Sequence, residues 1–218
     1  MGEGRFEEAA EALEQALARL SVKNAPRLEA SVRYRLGIVW KKLGRNREAL
    51  ECSRAAAALA GEGDDPWLCA LAENQAAEIL NRTGRHDEAL EILSGAEDRL
   101  ERANVDPERK TALLARILAN AGVARFRSGA VLRALEDYGR AAERFDRIGA
   151  GKEGSITALH MANALVLLAR FREAEALYRE VAEKAAAPGA HKERGDGLSG
   201  LGLLLQYLGR QQEALEAL

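Results

Sequence analysis

A ten-residue amphipathic phrase recurs six times along the 218 residues of the chain. It reads GRFEEAAEAL from Gly4, GRNREALECS from Gly44, GRHDEALEIL from Gly84, GAVLRALEDY from Gly129, ARFREAEALY from Ala169 and GRQQEALEAL from Gly209, so that its start advances by 40, 40, 45, 40 and 40 positions. A near-constant period of this size displaces the expectation of one or two globular domains, because a repeat of a few tens of residues cannot bury its apolar face alone and stacks on its neighbours instead.

The segment from Pro66 to Arg102 shows what one repeat contains. Asp65 is placed to accept from the free amides of a first turn, and Pro66 suits the first helical position, where a missing N–H costs nothing. Leu68, Leu71, Ala72, Ala76, Ile79 and Leu80 follow at spacings of three and four, a helical stripe. Gly84 then stops the helix, since the residue after a helix often adopts a left-handed conformation that Gly takes freely. A second helix follows, with Asp87 and Glu88 in its first turn and Ala89, Ile92, Leu93, Ala96 and Leu100 as its apolar stripe. Asp106-Pro107 and Asn24-Ala25-Pro26 open other first helices in the same way. Each repeat is therefore expected to be an antiparallel helical hairpin.

Two positions stay small. Ala9, Ala49, Ala89, Ala134, Ala174 and Ala214 occupy the sixth place of every phrase, and Gly37, Ala77, Gly122, Ala162 and Gly202 stand seven positions before its start. A Gly inside a helix costs up to about 1 kcal/mol relative to Ala, so three of them predict helix backbones in close approach. A carboxylate recurs in the fifth place as Glu8, Glu48, Glu88, Glu173 and Glu213.

This pattern resembles the tetratricopeptide repeat, with Leu36-Gly37, Trp40, Gly44, Ala49 and Ala56 its fullest match, and in its long period it is similar to the extended repeats of kinesin light chains, Pins-like polarity adaptors and MalT-like regulators. The resemblance implies an all-α fold, an α-α superhelix or solenoid of antiparallel helical hairpins. It divides residues 1–218 into a single array with a partial repeat 1–23, repeats 24–63, 64–105, 106–150 and 151–188, and a partial repeat 189–218. The one spacing of 45, with Ala130 and Arg133 in place of the usual Arg and Glu, predicts an irregular junction between residues 101 and 140. The first phrase begins at Gly4 and the last ends at Leu218, so a segment of a longer regulatory protein, or a homodimer pairing through open array ends, is the expectation.

Charge and composition narrow the partner. With 32 basic and 34 acidic residues the formal net charge is −2, which supplies no field toward nucleic acid or an anionic membrane. Arg accounts for 25 of the basic residues, a bias that a GC-rich bacterial genome would also give. No apolar stretch reaches the length of a membrane span and the N-terminus lacks a secretory layout, so a cytoplasmic location is expected. Cys52 and Cys69 sit in no C-x-x-C or Cys/His cluster, and reduced, partly buried thiols are expected.

No catalytic constellation is visible. His86, His160 and His191 lack metal-ligand partners at helical spacing, and the Gly-rich stretches at 61–65 and 149–154 lack the Gly-Lys-Ser/Thr ending of a phosphate loop. The chain is read as no enzyme, with no cofactor and no metal. What remains is binding. Stacked hairpins line a concave groove with their first helices, and helical phase places there Tyr34, Arg35, Asn74, Asn81, Arg116, Asn120, Arg127, His160, Asn163 and Gln206, together with Lys42, Gln75, Glu78, Arg82 and Ser199. Four Asn recur on this face, and a side-chain amide offers donor and acceptor together to the backbone of an extended peptide, while Arg35, Arg82, Arg116 and Arg127 suit carboxylates. The expected partner is a protein or peptide. The alternative of a small-molecule or protein-sensing module follows from the MalT-like resemblance, and plain solvation of the same polar groups is the competing explanation.

Overall fold

The computed structural model describes residues 3–23, 25–184 and 191–217. Among them are eleven α-helices and no strand. In chain order they are α1 Glu3–Lys23, α2 Pro26–Lys42, α3 Asn46–Glu62, α4 Pro66–Arg82, α5 His86–Arg102, α6 Pro107–Arg127, α7 Val131–Arg147, α8 Gly151–Leu167, α9 Phe171–Lys184, α10 His191–Tyr207 and α11 Gln211–Ala217. The chain divides into two compact units, Met1–Leu113 and Leu114–Leu218, and the division falls inside α6. No described helix is long and apolar enough to cross a membrane.

The period follows directly from the helices. From α2 to α5 each helix has 17 residues and each turn between them three, so two helices and two turns make one repeat. The longer spacing before Gly129 arises from a four-residue connector and the longer α6, of 21 residues, which together supply the five additional positions.

The turns are built alike. Gly44, Gly84, Gly129, Gly149 and Gly209 have φ between 66° and 88°, the left-handed conformation expected of a residue that ends a helix. After each of them the next amide reaches back across the last helical turn, as from Arg45 N to the Trp40 carbonyl at 2.9 Å and from Arg85 N to the Leu80 carbonyl at 2.9 Å, satisfying an otherwise orphaned acceptor. Two other turns use non-glycine residues, Asp64 at φ 51° and Ala169 at φ 57°. At the helix starts, Asp65 accepts from Leu68 N at 3.0 Å and Asp106 from Arg109 N at 2.9 Å. Asn24, expected to do the same for α2, lies outside the described residues; its neighbour Ala25 is the N-cap and gives no side-chain bond.

Within each unit the small positions hold the hairpins together. Ala49, Ala89, Ala134 and Ala174 are fully buried and Ala214 nearly so. A Cβ added to Gly37 would lie 3.2 Å from the Ala49 carbonyl oxygen and 3.0 Å from Ser53 Oγ, so α2 and α3 approach through these two positions. Gly122 faces the Tyr138 ring, whose carbons would stand 2.6 and 2.7 Å from an added Cβ. Ala9 departs from the pattern. Gly4 lies inside α1 instead of at a turn, and the buried residue there is Ala10, with Ala9 half-buried.

The recurrent carboxylate also acquires a partner. Glu48, Glu88, Glu173 and Glu213 each accept from the Arg three residues earlier, Arg45, Arg85, Arg170 and Arg210, at 2.5 to 2.7 Å. Arg54 reaches Glu88 at 3.0 Å and Arg210 reaches Glu175 at 2.6 Å, linking α3 to α5 and α9 to the turn before α11. The hairpin of α6 and α7 has Ala130 and Arg133 at these places, and there Arg125 pairs with the buried Asp137.

Candidate functional site

In the first unit the first helices are α2 and α4. Arg35, Lys42 and Arg82 are exposed on them. Tyr34 is half-buried and packs against Ala30, Ala60, Leu68 and Cys69, so its ring belongs to the seam between hairpins. Glu78 is tied to Lys41 Nζ at 2.6 Å, and Asn81 places its Oδ1 3.4 Å from His86 Nδ1.

Asn74 corrects the expectation of a groove-facing residue: it is 2% exposed, and its neighbour Gln75 is 4% exposed. The physical reason is position along the helix: Asn74 lies midway along α4, which packs against α2, α3 and α5. Counted back from the Gly or Ala that opens the next phrase, Asn74 stands ten positions away, Asn81 three, Asn120 nine and Asn163 six. At about 100° per residue Asn74, Asn81 and Asn163 fall within roughly 60° of one another and only Asn120 stands apart, so direction alone does not separate them, and they range from buried Asn74 through half-buried Asn81 and Asn120 to exposed Asn163. Gln75 packs beside Gly37, where an added Cβ would meet its Nε2 at 2.9 Å, and neither end of its amide is hydrogen-bonded among the described residues.

In the second unit Arg116 and Arg127 are exposed on α6 and Asn120 is half-buried. The side chains that converge lie farther along, on α8, α9 and α10. The His160 ring stacks on Tyr138 with centroids 5.6 Å apart and planes at 19°. Burial, and secondly the Arg127 charge, hold the imidazole below its ordinary pKa, so the ring is neutral at pH 7. Tyr178 Oη donates to Asn163 Oδ1 at 2.6 Å, and burial pushes the phenol up. The Tyr178 ring lies over Gly200, where an added Cβ would meet Cδ1 at 2.8 Å and Cζ at 2.9 Å. Gly200 stands nine positions before Gly209, the place that Arg35, Gln75, Asn120 and His160 occupy in the other hairpins.

Beside this ring is a cavity of about 330 Å³, lined by Ile156, Leu159, His160, Asn163, Tyr178, Lys192, Glu193, Asp196 and Gly200. Its volume falls at the low end of small-ligand sites. Of the expected residues it brings together His160 and Asn163. Gln206 and Ser199 lie elsewhere, in an open, mainly apolar cleft of about 620 Å³ formed with Leu203, Ala214 and Leu215. Glu193 was not visible as a site residue in the sequence. It stands sixteen positions before Gly209, where the first three full hairpins have Leu28, Leu68 and Leu113 and the fourth has the exposed Glu153. A carboxylate in place of that Leu was the available signal.

Among the described residues no group of three or more His, Cys, Asp and Glu is placed to hold a metal ion. Cys52 and Cys69 are free thiols; burial pushes Cys69 up to about 11, which leaves it protonated and unreactive at neutral pH.

No family model and no curated protein matches the chain. Its fold is that of tetratricopeptide-like repeat proteins of known structure. It is similar to BtubC (BKLC) from P. vanneervenii, at a TM-score of 0.80 and 18% identity over 100% of this chain and 89% of that one. It is also similar to a putative kinesin light chain of Podosopora anserina with nearly identical TPR-like repeats, at 0.68 and 18% over 88% and 92%. A third similar structure is NprR in complex with its cognate peptide NprX, at 0.64 and 18%; the alignment covers 97% of this chain but 58% of that one.

Proposed function

We propose that the chain is a non-catalytic scaffold that binds a peptide segment, free or carried by a partner protein, on the first helices of its hairpins. The observation that carries this reading is the α8–α10 cavity, where a neutral imidazole, a primary amide, a phenol and a carboxylate converge around apolar walls in a fold that NprR, bound to its cognate peptide, shares. The groups are suited to recognition. The Asn163 amide, with its oxygen accepting from Tyr178, has Nδ2 donors to offer an incoming carbonyl, and the Tyr178 and His160 rings supply rigid contact surface.

Selection of a displayed random peptide library against the chain tests this. A peptide recovered in that way is expected to lose about tenfold or more in affinity for both Asn163→Ala and His160→Ala, with helicity unchanged by circular dichroism. Unaltered binding to both variants would show that the cavity is not where peptides dock.

A further inference from the structure

We infer that the α8–α10 cavity receives a long cationic side chain, Arg or Lys, of the bound peptide. The inference rests on the peptide-binding reading and adds to it the chemistry of one subsite.

Glu193 is the central observation. Its side chain is 5% exposed and lines the cavity, yet among the described residues its partner is Lys152 Nζ at 3.7 Å, beyond hydrogen-bond distance and on a side chain 66% exposed. A buried carboxylate needs charge-assisted donors to offset its lost hydration, and this distant, solvated ammonium does not supply one. Asp196 adds a second carboxylate one helical turn along, against a single cation in the lining, Lys192, which makes no ion pair among the described residues. With His160 neutral, the lining carries a net negative charge.

The shape agrees with the charge. Ile156 and Leu159 form an apolar wall against which the methylene stem of Arg or Lys can lie while its head meets the carboxylates. Tyr178 is among the lining residues, an aromatic ring beside which a cation is favoured. Gly200 makes room for that ring beside the cavity: at the equivalent place in the preceding hairpin His160 stacks on its own Tyr, Tyr138.

The test is a heteronuclear NMR titration with three capped residues, N-acetyl-arginine amide, N-acetyl-lysine amide and the uncharged N-acetyl-citrulline amide. The cationic probes are expected to shift α8 and α10 amides and to bind at least about tenfold more tightly than citrulline; their relative affinities distinguish a guanidinium from an ammonium site. Glu193→Gln is expected to remove that preference. Asp196→Asn, at an exposed position, provides a second variant that leaves packing alone and is expected to weaken it about threefold. Equal binding of citrulline, no binding of either cation at millimolar concentration, or an unchanged preference in Glu193→Gln would overturn the inference. A library-selected peptide that docks here without a basic residue would remove the cationic subsite and leave peptide binding standing, whereas cation binding with no peptide recovered would do the reverse.

Discussion

Ala169 takes a left-handed conformation, φ 57°, at the turn where four of the other phrases have Gly. An L-residue there costs roughly 1–2 kcal/mol, part of which the greater unfolded-state freedom of Gly gives back, so Ala169→Gly is expected to stabilise the protein by about 0.5–1 kcal/mol in urea melts. Gly122 is the opposite case. An added methyl would meet the Tyr138 ring at 2.6 Å, and Gly122→Ala is expected to destabilise by about 2 kcal/mol, in the range of overpacked cores. His160 gives a pH signature. Its folded pKa lies below the ordinary value of 6.5, so as pH falls through 6.5 the unfolded chain binds a proton first. Its contribution is intact above that pH and is lost as pH falls toward the folded pKa. Stability measured from pH 7.5 down to 5 is expected to decline less in His160→Gln than in the native protein. Such residue-scale features were partly legible. The left-handed glycines, and the Asp65 and Asp106 caps, are local chemistry and can be read from neighbours in the chain. Whether a polar side chain faces out is set by what packs over it, and nothing near Asn74 in the chain shows that α2, α3 and α5 close over the middle of α4.

The element that departs most from the repeat is the hairpin of α6 and α7. The other hairpins with a recurrent Glu hold it with the Arg three residues before, an exposed pair of small, salt-sensitive effect. Here Arg125 on α6 pairs with the buried Asp137 on α7. Replacing Arg125 takes a charge-assisted donor from the buried Asp137, and Arg125→Met is expected to cost about 2 kcal/mol. Adding Asp137→Leu should recover most of that in a double-mutant cycle, since the buried carboxylate is then gone; additive losses in urea melts would contradict the pairing. The irregularity itself was visible in the one longer spacing and in Ala130 and Arg133. The compensating pair was not, because Arg125 and Asp137 lie on different helices and nothing in the phrase marks them as partners. The Arg–Glu pairs were half-seen. The carboxylate was conspicuous in every regular phrase, but its partner is the Arg of the same phrase and became recognisable only once both were on one helical turn.

At the scale of the molecule, a near-constant period, small residues at fixed places and one stop per helix were enough to specify stacked helical hairpins, and structures at 18% identity share that fold. The proposed site was less legible because its residues are departures from the repeat. Gly200 replaces a larger residue and Glu193 stands where the first three hairpins have Leu, and each looks like a defect until α8, α9 and α10 are assembled around them. The central claim is that first helices, those that open each hairpin, form the receptive surface. The most direct test is backbone amide hydrogen exchange of the whole chain with and without a peptide selected against it. Slowed exchange concentrated in α8 and α10 is the predicted result; protection confined to the second helices α7, α9 and α11, or absent at saturating peptide, would contradict it.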